Sequence, residues 1–387
     1  MKIAKYIRGD KVIWMVIILL SIISLLSVYS SSQALAFSGN SNRTLYLLIK
    51  QMFILGFGVC TIIVTHLIPY KIYSRLSQLM LFIVLPLLLL TLIFGRGNAD
   101  ANRWLAMPGG FTIQTSDFAK IILVIFTARI LSLKQEKLGN SKEAYLPIII
   151  ATALVCGLIL PANFSTAALL FVTIFLLMFI GRIPVKFLLL TVAGGIVAFS
   201  LFLVLANAFN LSSRQGTWKS RMDSFLHASE EGVNNYQVDR AKVAIVNGGI
   251  FGRGPGNSMQ KEKLPQANSD FIYAIIVEEY GLFGGISLLF LYMWLLFRTA
   301  LIVRRSNRTF PAFAAMGLAM LIVFQAMVNM AVAVNLVPVT GQTLPFISSG
   351  GSSVLFTSIA LGVILSASWG IEEELKKQEE AKVNHEA

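Results

Sequence analysis

The chain has 387 residues, of which 56% are hydrophobic and only 13% charged, with a mean hydropathy of +0.73. That composition excludes a soluble globular domain and predicts an all-α integral membrane protein. The net charge of +13 is read as membrane topology and contact with anionic lipid, and nucleic acid is not an implied partner.

Crossing about 30 Å of hydrocarbon takes roughly 20 apolar residues. Ten such runs follow one another, at about 12–31, 45–66, 78–95, 116–132, 145–162, 165–181, 185–206, 280–303, 310–334 and 351–370. Lys2, Lys5, Arg8 and Lys11 precede the first run, and Lys71 and Arg75 follow the second. Arg129, Lys134, Lys137 and Lys142 follow the fourth, Arg182 and Lys186 the sixth, Arg304, Arg305 and Arg308 the eighth, and Lys376, Lys377 and Lys382 the tenth. The short intervening loops hold little basic charge beyond Arg43, Arg96 and Arg103. By the positive-inside rule both termini are cytoplasmic and the odd-numbered loops face out. The first run ends in "SSSQALAF", where Ala34–Leu35–Ala36 resembles a signal-peptidase site. The length of the run and the need for a first anchor favour its retention.

One membrane domain, residues 1–370, is expected, with a large outer loop at about 207–270 between the seventh and eighth helices. A charged cytoplasmic tail, expected as a solvated and frayed helix, follows at 371–387. Within the loop, Val238, Ala241, Ala244 and Ile245 share one helical face, which predicts a short surface helix ended by Gly248 and Gly249. Cys60 and Cys156 fall inside predicted spans, and His66, His227 and His385 are scattered, so no disulfide framework or zinc motif is present.

Gly248, Gly249, Gly252, Gly254 and Gly256 match neither nucleotide-binding glycine spacing. They read either as a tight turn or as a loop whose backbone N–H groups meet a pyrophosphate. Ionisable residues within or at the ends of spans cost several kcal/mol unless they face a cavity or a partner. They are Lys50, Asp117, Lys120, Asp270, Glu278 and Glu279. Lys50 and Lys120 can snorkel. Asp270, at the start of "DFIYAII", is too short to do so; it is either an ion-pair partner of Arg253, Lys261 or Lys263, or a functional acid.

"NRWLAMPGGFTIQTSDFAK" (102–120), "GGIFGRGPGNSMQKEKLPQANSDFIYAIIVEEYG" (248–281) and "NLVPVTGQTLPFISSGGSS" (335–353) resemble three signature segments of the SEDS family, the FtsW, RodA and SpoVE proteins. "GQTLPFIS" is more similar to the division members, FtsW, than to the elongation members. The resemblance covers essentially the whole chain. It implies ten spans, an outer loop after the seventh, and polymerisation of lipid II into glycan strands. It also implies a class B penicillin-binding protein transpeptidase as partner, beside other division proteins, in the bacterial inner membrane at the septum.

Asp270 matches the family's essential aspartate and becomes the catalytic residue. Arg103 matches the arginine before tryptophan, and Gln114 and Lys120 match the ends of a Q-P-S-E-x-x-K pattern. Thr115 and Asp117 depart from that pattern's proline and glutamate. "PANFSTA" (161–167) puts Asn163 where many relatives have aspartate, so no carboxylate is required there.

The implied reaction joins a sugar 4-hydroxyl to C1 of another sugar and expels a lipid-linked pyrophosphate. It needs a base for the hydroxyl and cations for the leaving group. Asp270 is the expected base, and a pyrophosphate leaving group requires no second carboxylate as acid. Arg103, Lys120, Lys261 and Lys263 are expected to neutralise pyrophosphate; a Mg²⁺ or Mn²⁺ ion could share that task, although no cofactor motif is present. Gln114 completes the expected substrate contacts with Ser348 and Ser349, whose segment is expected to line the lipid-substrate groove. The rival readings are a lipid II transporter using the same charges as a path, and a non-catalytic division scaffold. Within the family, an elongation polymerase is the alternative.

Overall fold

The computed structural model describes residues 8–33, 41–95, 103–106, 112–134, 142–208, 225, 236–264 and 266–386. The candidate cleavage site at 34–36, Arg96, Lys137 and most of 207–235 lie outside these residues. Ten long helices are described: α1 (Lys11–Gln33), α2 (Ser41–Leu67), α3 (Tyr70–Phe94), α4 (Thr115–Lys134), α5 (Lys142–Ile159), α6 (Phe164–Ile180), α7 (Val185–Ala208), α9 (Ile272–Arg304), α10 (Thr309–Ala333) and α11 (Gly351–Glu386). The short α8 (Tyr236–Gly248) lies between α7 and α9. Seven of the helices are long and apolar enough to cross a membrane, and α5 and α6 are shorter apolar helices. α4 carries four charges, Asp117, Lys120, Arg129 and Lys134, in 20 residues. It is a multi-pass, all-α membrane protein.

The centre of the bundle is α4, α10 and α11; α3 lies against α4, α9 against α10 and α2 against α11, and α1 packs on α2 and α9. Small residues allow close crossings there: a side chain on Gly317 of α10 would strike Val124 and Leu177, and one on Gly362 of α11 would strike Thr65 of α2. α7 is peripheral, packed on α6.

The two ends of the bundle differ in chemistry. At one end Asp10 caps α1, accepting from the N–H groups of Val12 and Ile13, and takes a two-pronged contact from Arg298 at 2.8 and 2.6 Å. Arg129 donates to the Ser74 and Arg75 carbonyls, and Arg308 pairs with Glu374 at 2.7 Å. In the tail α11 continues as a largely exposed helix to Glu386, and its first part is tied to the bundle by that pair and by Asn307 on Gln378.

At the opposite end lie α8 and the glycine loop. Val238, Ala241 and Ala244 are buried as the periodicity predicts, and α8 packs on the first turns of α9. α9 begins eight residues before the apolar run at 280–303, and it is broken at Gly281 (φ 71°, ψ −171°). Into this break the loop is laced. Arg253 and Gly254 donate to the carbonyls of Glu278 and Glu279 at 3.0 and 2.9 Å, and Leu282 donates to the Gly249 carbonyl at 2.9 Å. Gly252 N–H is taken up by the Gly248 carbonyl. These N–H groups face other backbone, so the pyrophosphate-cradle reading of the loop does not hold. The glycines serve close approach, since a Cβ on Gly248 or Gly252 would lie 2.1 or 2.2 Å from the Val277 or Glu279 oxygen.

Gly252→Ala therefore adds both a clash and a side chain at φ 80°, and it is expected to destabilise the protein by about 1–3 kcal/mol. Gly249, at φ 53° with open space around it, should accept Asn at a cost under about 1 kcal/mol. Thermal unfolding of the purified variants in detergent checks the contrast, and equal melting temperatures for both would refute it.

Candidate active site

The site is built where three irregular segments meet above the helix ends. The first is a hairpin that sequence reading missed: β1 (Trp104–Ala106) pairs antiparallel with β2 (Thr112–Gln114), Trp104 opposite Gln114. It sets Arg103 beside the start of α4. Gln114 is half-buried and donates to Ser116 at 3.2 Å.

The second segment carries Asp270. Its neighbour Phe271 is 1% exposed, packed among Ala241, Ala244, Leu264, Ala267 and Ile275, with Val332 and Ala333 from α10. This apolar anchor fixes the backbone one residue from the acid. Ser269 Oγ donates to Asp270 Oδ1 at 2.8 Å, and Asn329 Nδ2 donates to the Asp270 carbonyl at 2.8 Å.

The third segment, 335–350, crosses between α10 and α11. Asn329 also holds the Gln342 carbonyl, at 2.7 Å, and Gln325 holds the Thr343 carbonyl at 3.0 Å. Ser24 of α1 reaches the Ile347 carbonyl at 3.0 Å, and Tyr292 of α9 the Pro345 carbonyl at 2.5 Å. Gly341, at φ 66°, is the point of closest approach: a Cβ there would lie 3.2 Å from Arg103 Nη1 and 3.6 Å from Asp270 Oδ2. Guanidinium and carboxylate thus flank one glycine.

Several expected substrate ligands are placed in other work. Ser348 Oγ donates to the Ser269 carbonyl at 2.6 Å and accepts from Leu344 N–H, while the Ser349 N–H and Oγ both reach the Asn268 carbonyl at 2.9 Å. Both serines hold the Asp270 segment in place. Lys120 is 3% exposed, paired with Asp117 at 2.8 Å and donating to Gln325 at 2.8 Å. It neither snorkels nor faces an open groove, and the pair gives Asp117 a partner despite its departure from the signature. A buried pair of this kind is held by its hydrogen bonds, and loss of one partner strands the other charge.

Lys261 Nζ donates to the Gly256 carbonyl at 2.7 Å and lies near Glu279. Lys263 is exposed on the loop, as is Lys50 on α2. Glu278 and Glu279 are 0% and 1% exposed. Glu278 accepts from the Ser258 hydroxyl and from Met259 and Gln260 N–H at 3.1 and 3.3 Å, and Glu279 accepts from Ser30. Both are structural acids.

Sequence reasoning missed Gln325, Asn329, Tyr292 and Ser24. The signal was available for the first two, because amides four residues apart in "FQAMVNM" lie on one face of an otherwise apolar helix. Among the described residues no three His, Cys, Asp or Glu gather into a metal-ligand set.

The comparisons agree with this architecture. A family model described as "Cell cycle protein", FtsW/RodA/SpoVE, matches residues 10–372. The chain is 33% identical over 377 residues to a probable peptidoglycan glycosyltransferase FtsW of Trichlorobacter lovleyi, covering 96% of this chain and 95% of that one. It is 31% identical over 380 residues to the protein of the same description in Bacillus subtilis, covering 94% and 92%. Among solved structures it is similar, with a TM-score of 0.70 and 26% identity over 93% of this chain and 97% of the other, to a chain from work on how a peptidoglycan synthase complex coordinates polymerization and crosslinking. With a match that runs through all ten long helices and the segments around Asp270, this chain belongs to the FtsW/RodA/SpoVE family of cell cycle proteins.

Proposed function

We propose that this chain is a peptidoglycan glycosyltransferase that polymerises lipid II into β-1,4 glycan strands at the outer face of the cytoplasmic membrane during cell division. The observation that carries this reading is Asp270, fixed by its backbone at the polar end of the bundle, with Arg103 across Gly341. The descriptions of the relatives name the activity. The basic end of the bundle, with Arg129, Arg298 and Arg308, supports assigning that end to the cytoplasmic side and Asp270, at the opposite end, to the outer side.

In the proposed reaction Asp270 accepts the proton of the acceptor 4-hydroxyl as its oxygen bonds to C1 of the donor sugar. The C1–oxygen bond to pyrophosphate breaks on the opposite face, and the α-linked donor inverts to a β-linkage. The departing pyrophosphate keeps the electron pair, and Arg103 faces that charge. Asp270 beside substrate phosphate oxygens fits a shared Mg²⁺ or Mn²⁺ in chemical type, since such ions use one or two carboxylates and several other oxygens; the ion would supply charge neutralisation at the pyrophosphate. A class B penicillin-binding protein is the proposed partner, supported by the similar chain's origin in work on polymerization and crosslinking. The proposed place of action is the septum.

Purified protein incubated with labelled lipid II in vesicles tests this reading. Polymer is expected; relocation of lipid II without polymer would make the chain a transporter, and neither, with the partner transpeptidase present, would make it a scaffold. Arg103 donates through Nε to the Ala162 carbonyl at 2.9 Å, and its Nη1 lies on the Gly341 side. Arg103→Lys keeps the charge and loses the planar fork, so polymerisation is expected to fall well over tenfold, about 1.4 kcal/mol or more of transition-state stabilisation. Wild-type turnover in a correctly inserted Arg103→Lys protein would remove Arg103 from the site.

A further inference from the structure

Three consecutive carbonyls of the segment that carries the acid are held by donors from outside it. Asn268 accepts from the Ser349 N–H and hydroxyl at 2.9 Å, Ser269 from the Ser348 hydroxyl at 2.6 Å, and Asp270 from Asn329 Nδ2 at 2.8 Å. The two serines tie one irregular segment to another, so they do not refer the acid to the helical bundle. Asn329 does. It stands near the C-terminal end of α10, where the Val334 and Asn335 N–H groups close the helix on the Met330 and Val332 carbonyls. Its amide nitrogen also donates to the Gln342 carbonyl, at 2.7 Å. Gln342 follows Gly341, the residue flanked by Arg103 Nη1 and Asp270 Oδ2. One amide group therefore holds both the acid's own segment and the backbone that separates the acid from the guanidinium.

The energy balance at Asn329 agrees with a role in placement. The side chain is 1% exposed, and two carbonyl partners fix which end of the amide is nitrogen. Oδ1 is then a buried acceptor with no hydrogen-bond partner among the described residues. An orphaned buried acceptor costs about as much as two ordinary hydrogen bonds contribute, so asparagine adds little net stability here. Gln325, one turn earlier, differs: its Oε1 accepts from Lys120 at 2.8 Å while its Nε2 holds the Thr343 carbonyl at 3.0 Å. We propose that Asn329 is a positioning residue that sets the separation of Asp270 and Arg103, acting through the main chain and without touching substrate. The role rests on the polymerase reading, in which Asp270 and Arg103 serve one reaction.

A double-mutant cycle on lipid II polymerisation by the purified full-length protein tests the proposal. Asn329→Asp keeps the size of the side chain, but a carboxyl group offers at most one hydrogen, so at least one carbonyl is released. Its kcat per folded molecule is expected to fall about tenfold or more with KM within about threefold, the signature of a misplaced reacting group. In that background Arg103→Lys should cost under about threefold, against well over tenfold in the wild type, because the geometry it serves is already lost. Losses that multiply overturn the proposal. Asn329→Gln keeps both donors but moves them by one methylene, and the same fall in kcat is expected; wild-type kcat in either variant overturns the proposal. Asp10→Asn, at the opposite end of the bundle, weakens the contact with Arg298 and should lower the melting temperature while turnover per folded molecule holds. If it lowers turnover as much as Asn329→Asp does, instability explains both losses and the proposal falls. Amide hydrogen exchange reads the clamp without turnover: residues 268–271 and 340–344 should both exchange faster in Asn329→Asp, and unchanged protection in either stretch overturns the proposal. Absence of polymer from the wild type would reject the polymerase reading, whereas polymer with multiplying losses would reject the positioning role alone.

Discussion

Everything at the polar end of this protein depends on hydrogen bonds from buried side chains to non-helical backbone. A chain that leaves its helices next to hydrocarbon must find partners for each N–H and C=O within the protein, because lipid offers none. Here Asn329 serves the carbonyls of Asp270 and Gln342, Gln325 that of Thr343, Tyr292 that of Pro345, and Ser24 that of Ile347. Glu278 receives the N–H groups of Met259 and Gln260. These side chains come from three long helices, α1, α9 and α10, so the loops inherit the rigidity of the bundle. A positioned acid requires that, since misplacement of a reacting group by about 1 Å can cost about 10²-fold in rate.

The same network divides the acids by function. Glu278 and Glu279 are buried in the break of α9 and hold the glycine loop, while Asp117 is bound to Lys120 beneath the site. Asp270, which accepts from Ser269, is half-buried at the junction of the three segments. One carboxylate suffices for the chemistry, because a pyrophosphate leaving group carries its own stabilised charge. What it needs is cationic contact, and Arg103 is the proposed source of it, its Nη1 on one side of Gly341 with the Asp270 carboxylate on the other.

The ten helices were legible from composition and run length because hydrocarbon imposes its thickness on each span. Asp270 stood out because a short acid at a span's edge is costly without a purpose. Other features were hidden for physical reasons. Strands of three residues, Trp104–Ala106 and Thr112–Gln114, are too short to show alternation, so the hairpin that places Arg103 left no periodic trace. The glycine loop looked like an anion cradle because that use and close backbone packing demand the same freedom from a side chain; only the partner, here residues 277–282 of α9, separates them. Ser348 and Ser349 looked like substrate contacts because sequence shows hydroxyls but not whether a carbonyl already holds them. Asn163 was visible only as a departure from the family pattern, and its role as the cap of α6 emerged with the turn that buries it.

The central claim is that Asp270 acts as a base and not as a structural charge. The most direct measurement is glycan polymerisation by purified Asp270→Asn protein, alongside its melting temperature and lipid II binding. Asparagine is almost isosteric and leaves the main-chain bond to Asn329 and the Phe271 anchor untouched. The account predicts normal folding and binding with a loss of turnover of about 10²–10⁴-fold, the typical worth of a general base. Full polymerase activity in a stably folded Asp270→Asn protein, or a loss that only tracks the folded fraction, would contradict it.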